Sequence, residues 1–270
     1  MRVPPVVLTI AGYDPSSGAG VTADVKTAAA LGCYAVTCIT ALTVQSSQGV
    51  FHVRSLEGKL VAQILKALAE DLQISAVRVG MLGSGEVAAA VAKFLEEARL
   101  PNVVLDPVIR SSSGAALLDE HGLHVLRQMI SLCDVITPNI AEAAILTGSE
   151  PMADNLDWEA ALPELRRLAA GLHDLQAKNI VITGGHLRPA NDYLSSKGPA
   201  GTHEEVIPGT RIESRSTHGT GCGFATSVAC HLAKGMELSQ ATRAAKEFVA
   251  RAIRSAYPMG KGSGPINHFG

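Results

Sequence analysis

Ser216-Thr217-His218-Gly219-Thr220-Gly221-Cys222 is a polar, glycine-broken turn that runs straight into the small, apolar, helix-compatible stretch from Gly223 to Leu232. Such a turn delivers its last backbone N–H groups to a helix N-terminus, whose positive end favours an anion such as a phosphate. Gly219 and Gly221 permit positive φ and close backbone approach, and Thr217 and Thr220 add hydroxyl donors. Cys222 falls at or just inside the first helical turn, where the same field favours a thiolate. An ordinary glycine-containing connection with a helix-starting Thr uses the same residues. The rest of the chain must decide between the two.

The elements that would position this turn alternate. Val6–Ala11 is a nearly continuous apolar, β-rich run, as expected of a strand covered on both faces. It opens into the Gly/Ser loop 12–20 and then a helical run from Val21 to Leu31. Strand patterns recur at Tyr34–Thr43, Ala76–Val79, Asn102–Leu105, Val135–Thr137 and Asn179–Thr183, and helical ones over residues 57–72, 85–98, 120–132, 157–175 and 239–256. The segment from Val44 to Val50 reads as a turn away from its strand, residues 150–155 as a polar surface loop and residues 188–201 as a loop. A strand or hairpin is expected over 204–212. Pro163 should end a short turn or open a second helix, and the tail from Pro258 should be surface-bound or frayed. This alternation predicts a single domain over residues 1–270, a three-layer αβα sandwich on a mainly parallel sheet. Ligands of such sheets gather beyond the carboxyl ends of the strands, which is where the first Gly/Ser loop and Asp106 fall. Neither a G-x-G-x-x-G fingerprint nor a P-loop occurs.

With 270 residues, 47% of them hydrophobic, the chain can bury a large core. The 23 basic and 25 acidic side chains nearly balance, so neither a nucleic acid nor a membrane surface is suggested as partner. Five cysteines (Cys33, Cys38, Cys133, Cys222 and Cys230) show no C-x-x-C spacing, and their odd number argues against a complete disulfide framework. A reducing cytoplasm fits this pattern. The apolar run near the N-terminus is too short for a signal peptide and no later stretch approaches a membrane span, so a soluble protein is expected.

The Thr-His-Gly-Thr-Gly-Cys turn resembles the anion hole of the hydroxymethylpyrimidine and phosphomethylpyrimidine kinases of thiamine synthesis, members of the ribokinase-like superfamily. Other stretches match the same family in the same order over almost the whole chain: the Gly12 loop with Ala23-Asp24-Val25-Lys26-Thr27, the Gln45 segment, Gly80-Met81-Leu82, Asp106-Pro107-Val108-Ile109 and Thr137-Pro138-Asn139-Ile140-Ala141-Glu142. Departures are Tyr13 and Pro15 in the first loop, and Thr183 where many members carry lysine. The resemblance implies a substrate site made with Gly12, Asp24, Gln45, Met81 and Val108. Asp24 would lie near the substrate's amino and hydroxymethyl groups, although it is equally suited to complement a helix dipole. The Gln45 amide could pair with a 4-aminopyrimidine edge, although the residue alone reads as a loop amide in water. Met81 suits a flat ring contact and core filling alike.

By the same resemblance, Asn139, Thr183 and Thr217 would attend the nucleotide, and Asp106 and Glu142 would hold its Mg²⁺ through water. Arg110–Gly114 would form a mobile flap, poorly ordered without ligand. The implied activity is ATP- and Mg²⁺-dependent phosphorylation of 4-amino-5-hydroxymethyl-2-methylpyrimidine and its monophosphate, by a homodimeric enzyme. Cys222 would act as thiolate base or orient the hydroxyl, while Gly219, Thr220 and Gly221 join it in stabilising the transferring phosphoryl through their N–H groups. A pyridoxal kinase on the same scaffold is the nearest rival. A non-catalytic pyrimidine sensor is another, encouraged only by the loss of lysine at 183. A redox role for Cys222 lacks a resolving cysteine nearby in sequence.

Overall fold

A computed structural model describes residues 3–111, 114–150, 152, 156–199 and 201–269. Strand β1 (Val6–Tyr13) leads into helix α1 (Gly20–Ala30), then β2 (Tyr34–Ser46), β3 (Gly49–Ser55), α2 (Gly58–Asp71), β4 (Ile74–Val79), α3 (Gly85–Ala98) and β5 (Val103–Leu105). There follow α4 (Glu120–Met129), β6 (Val135–Ile136), α5 (Ile140–Thr147), α6 (Trp158–Asp174), β7 (Asn179–Ile182), β8 (Asp192–Gly198), β9 (Gly201–Ile207), α7 (Thr220–Ala233) and α8 (Leu238–Arg254). The sheet has nine strands in the order β3-β2-β1-β4-β5-β6-β7-β8-β9. Its centre, from β2 to β7, is parallel; β3 and β8 run antiparallel to it, and β9, paired antiparallel with β8, returns to the direction of the centre.

The continuous apolar runs arise because both faces are covered. Val7, Ala76, Val104, Val135 and Val181 point to one side and pack on α7 through Phe224, Ala225 and Val228, with Ala28 of α1 and Ala245 of α8 in the same cluster. Their neighbours Leu8, Ile10, Val77, Leu105, Ile136 and Ile180 point to the other side, against α2 to α6. The expected αβα sandwich is therefore observed. No described helix is long and apolar enough to cross a membrane.

Four expectations are corrected. The β2 strand does not turn away at Val44 but runs to Ser46 and returns as β3, so Gln45 stands on a hairpin, paired with Val50. Residues 188–201 are not a loop throughout, since β8 pairs along its length with β9. Pro163 lies inside one helix, α6. It stands in the second turn, where it forgoes a single backbone bond. The tail is not frayed: Ile266 and His268 are buried, at 2% exposure each. Most of the polar loop expected over 150–155 lies outside the described residues.

Candidate active site

The carboxyl ends of β1, β4, β5, β6 and β7 meet the N-termini of α1 and α7 at one edge of the sheet. Helix α7 starts at Thr220 behind Gly219, whose φ of 86° is left-handed. A Cβ at Gly219 would strike the Gly18 carbonyl oxygen, and one at Gly20, φ 61°, the Gly12 carbonyl oxygen. Two glycine turns thus interlock at backbone distance, which only glycine allows. The N–H groups of Gly221 and Cys222 lie in the first turn of α7, where no carbonyl stands one turn behind them. A Cβ on Gly221 would meet nothing within 4 Å. The turn is therefore open beside Gly221, as an anion-binding turn requires.

Beneath the turn lies a charged cluster built on Arg78, which is completely buried in β4. Its Nη1 is 3.1 Å from Asp24 Oδ2 and its Nη2 2.5 Å from Asp106 Oδ2. The Thr226 hydroxyl donates to Asp24 Oδ1 at 2.6 Å. Gly80 leaves the room this guanidinium needs, because a Cβ there would collide with Arg78 Nη1. Burial pushes Asp24 up to about 6 against the pull of Arg78, and raises Asp106 likewise.

Two expectations change here. Asp24, read as a substrate contact, has no exposed surface. Each of its oxygens is engaged from within, so it forms part of the floor below the site. Cys222, read as a thiolate, is a thiol at rest: burial pushes it up to about 11, and the two nearby carboxylates add to that, while Arg78 and the Gly20 N–H pull the other way. Burial outweighs the helix terminus.

One wall is the β2–β3 hairpin. Gln45 Nε2 is placed 3.2 Å from His218 Nε2, and His218 Nε2 is 2.8 Å from Asp14 Oδ2. Asp14 also accepts from the N–H groups of Ser16, Gly18 and Ala19, which ties down the first Gly/Ser loop. Met81 joins Ala41 and Leu117 in a small apolar cluster, with Val50, Val53 and Val108 packed against it. Gly12 faces Met81, since a Cβ there would stand 2.8 Å from its sulfur.

On the β5–β7 side, Asn139 and Glu142 form a capping box at the start of α5: Glu142 N–H donates to Asn139 Oδ1, and Asn139 N–H to Glu142 Oε2, both at 2.9 Å. Burial first, and the Asp106 charge second, push Glu142 up to about 8. Thr183 N–H donates to the Pro138 carbonyl, which sets Thr183 beside Asn139. Thr217 is exposed and its hydroxyl lies 3.4 Å from that of Ser263. No group of three or more His, Cys, Asp or Glu able to hold a metal stands among the described residues. Two buried carboxylates, one of which raises the proton affinity of the other, nevertheless suit a cation held through water. Of the flap expected over 110–114, Ser112 and Ser113 lie outside the described residues, while Arg110 makes an antiparallel bridge to Ala116.

Arg78, Asp14 and His218 had been assigned no role from the sequence. A signal existed for Arg78, a charge inside the apolar strand Ala76-Val77-Arg78-Val79. For Asp14 and His218 there was none, because 204 residues separate them.

Residues 14–267 match the family model of phosphomethylpyrimidine kinase. The hydroxymethylpyrimidine/phosphomethylpyrimidine kinase of Streptomyces coelicolor is 40% identical over 267 residues, covering 98% of this chain and 94% of that protein. The thiamine biosynthesis bifunctional protein ThiED of Geobacter sulfurreducens is 41% identical, and the match covers 97% of this chain but 52% of that longer protein. An ADP complex of Bacillus subtilis pyridoxal kinase superposes with a TM-score of 0.86 at 32% identity, covering 98% of this chain and 97% of that one.

Proposed function

The chain belongs to the phosphomethylpyrimidine kinase family, and on that premise we propose that it transfers a phosphoryl group from ATP to 4-amino-5-hydroxymethyl-2-methylpyrimidine and then to its monophosphate, in thiamine biosynthesis. The observation that carries this reading is the first turn of α7, which bears Cys222 and the N–H groups of a helix start and is tied through His218 to the hairpin that bears Gln45. The pyrimidine would lie on the Met81 and Val108 cluster with its edge toward Gln45. Its hydroxymethyl group would reach Cys222, and the N–H groups of Gly219, Gly221 and Cys222 would stabilise charge on the transferring group, joined by that of Thr220 once it exchanges the Thr217 carbonyl, 3.3 Å away, for a phosphate oxygen. In phosphoryl transfer, positioning and electrostatics carry most of the catalysis. Cys222 therefore orients the hydroxyl as a thiol at rest, and it takes the hydroxyl proton only in the fraction of molecules that have first released the thiol proton to solvent, whose thiolate Arg78 stabilises from below. Asn139, Thr183 and Thr217 would line the nucleotide. Asp106 and Glu142 would hold Mg²⁺ through water, and the ion would neutralise charge on the nucleotide phosphates. We place the whole chain, as one domain and as a homodimer, in the cytoplasm. Exposed Leu42, Val44 and Phe51 on the β2–β3 hairpin support the dimer, which sedimentation would test.

Pyridoxal kinase is a second reading, favoured by the TM-score of 0.86 to such an enzyme. The deciding experiment offers the hydroxymethylpyrimidine, its monophosphate and pyridoxal separately, each with ATP and Mg²⁺, and follows ATP consumption. Turnover of the pyrimidines supports the proposal and shows whether one or two groups are transferred. Turnover of pyridoxal alone moves the chain to the second reading, and no turnover of any supports a binding protein.

A further inference from the structure

The chain end beyond α8 is built into the site. His218 donates its backbone N–H to the Gly264 carbonyl at 3.0 Å and accepts from the Ile266 N–H at 3.2 Å, so the anion turn and the tail pair like two strands. Gly264 N–H in turn donates to the Arg215 carbonyl. Asn267 N–H anchors the far side on the Ala252 carbonyl of α8, and His268 Nδ1 lies 2.9 Å from the Thr27 hydroxyl of α1. Ile266 packs against the start of α7, where a Cβ on Gly223 would come within 3.1 Å of its Cδ1. The other end of the tail holds the hairpin: Gly262 N–H donates to Ser47 Oγ at 3.2 Å, and a Cβ on Gly260 or Gly262 would collide with Ser47. Ser47 is two residues from Gln45.

From these contacts we infer that residues 260–268 are a positioning strap of the active site, which sets the distance between the phosphate-binding turn and the hairpin that carries Gln45. The turn leads into α7 and Gln45 stands on the β2–β3 hairpin: the side-chain bridge from Gln45 through His218 to Asp14 is one tie between them, and the strap adds a backbone-level one. Gly260 and Gly262 are needed because the strap lies on Ser47 at a separation that leaves no room for a side chain. The role is one of geometry. A displacement of about 1 Å between reacting groups costs on the order of a hundredfold in rate.

This inference rests on the proposed kinase reading for its kinetic arm, and a second arm is independent of it. Gly262→Val should push the strap off the hairpin and raise KM for the pyrimidine about tenfold or more while leaving KM for ATP nearly unchanged. Gly260→Ala is the milder variant: its Cβ strikes Ser47 and its φ of 75° is one that an L side chain rarely adopts. In the independent arm, alkylation of each cysteine by iodoacetamide at alkaline pH is followed by mass spectrometry. Cys222 should react several-fold faster in Gly262→Val, with the buried Cys33, Cys38, Cys133 and Cys230 unchanged. Equal KM values and equal Cys222 reactivity in the variants would overturn the strap, and so would acceleration of all five cysteines together, which marks general loosening. If the unaltered protein fails to phosphorylate the pyrimidine, the kinase reading falls and the alkylation arm still decides the strap.

Discussion

His218 Nε2 stands 2.8 Å from Asp14 Oδ2 and 3.2 Å from the amide of Gln45, and the carboxylate dictates how the protons among the three are arranged. Burial works to raise Asp14, but hydrogen bonds from His218 and Ser16 outweigh it and hold the carboxyl below its ordinary value. An ionised carboxylate only accepts, so His218 Nε2 carries the proton and cannot also accept from an amide NH₂. The Gln45 amide must then turn its oxygen to His218 and its nitrogen to Thr43 Oγ1, 3.2 Å away, whose own proton goes to the Tyr13 carbonyl at 3.0 Å. The donors of His218 and Thr43 then each meet an acceptor. One amide N–H and one oxygen lone pair stay free, the pair that an aminopyrimidine edge would read.

His218→Ala frees that amide to rotate and leaves Asp14 short of a donor. The expected result is a rise of roughly tenfold in KM for the pyrimidine, from a buried acceptor losing its partner, with KM for ATP little changed. Steady-state kinetics with each substrate varied checks it. Equal loss toward both substrates would point instead to collapse of the turn.

Cys222→Ala should lower kcat by about 10² or more, the usual weight of a general base, with pyrimidine binding within a few-fold. Because burial raises the thiol to about 11, kcat/KM in the unaltered enzyme should climb toward alkaline pH, and the variant should lose that limb. Substantial turnover in Cys222→Ala would remove the residue as the base.

Arg78→Met leaves Asp24 and Asp106 buried without their cation. Breaking one partner of a buried ion cluster costs about 3–5 kcal/mol, so urea unfolding should show a large loss of stability, with Arg78→Lys intermediate. A stability near that of the parent would mean that the cluster is neutralised by protons.

Glu142 gives a pH signature of unusual sign. Its proton affinity rises from the ordinary 4.5 to about 8 on folding. Between those values the folded chain holds a proton that the unfolded chain has released, so stability is fully present at the acid end and falls as pH rises. Thermal midpoints taken from pH 5 to 8 should decline in the ligand-free protein, and Glu142→Gln should flatten the slope. An unchanged slope in that variant would assign the effect elsewhere.

Thr183→Lys tests the departure from the family pattern. A cation there would add a contact to the transferring phosphate, and kcat/KM for ATP should rise roughly tenfold, within the range that one electrostatic donor supplies. No change would show that the site compensates for the missing lysine.

The sequence by itself determined the layered αβα architecture, since runs such as Val6–Ala11 and Asn179–Thr183 are apolar throughout only when helices cover both faces of a parallel sheet. It also marked the glycine turn that opens α7, because glycines before a small-residue helix carry a local backbone requirement that is visible in residue types alone. Local patterning misjudged the edges of the sheet, where β3 and β8 pair antiparallel and are partly solvated, so their runs are mixed and short. Only the tertiary structure decided what surrounds the turn. The ionisation of Cys222 depends on Arg78, Asp24 and Asp106, brought from three different segments. Asp14 and His218 meet from opposite ends of the chain. The glycine-rich tail, which has no periodic pattern to announce an element, is fixed by backbone hydrogen bonds to the turn and by contact with Ser47. Burial and charge are properties of a folded neighbourhood, and spacing along a chain does not encode them.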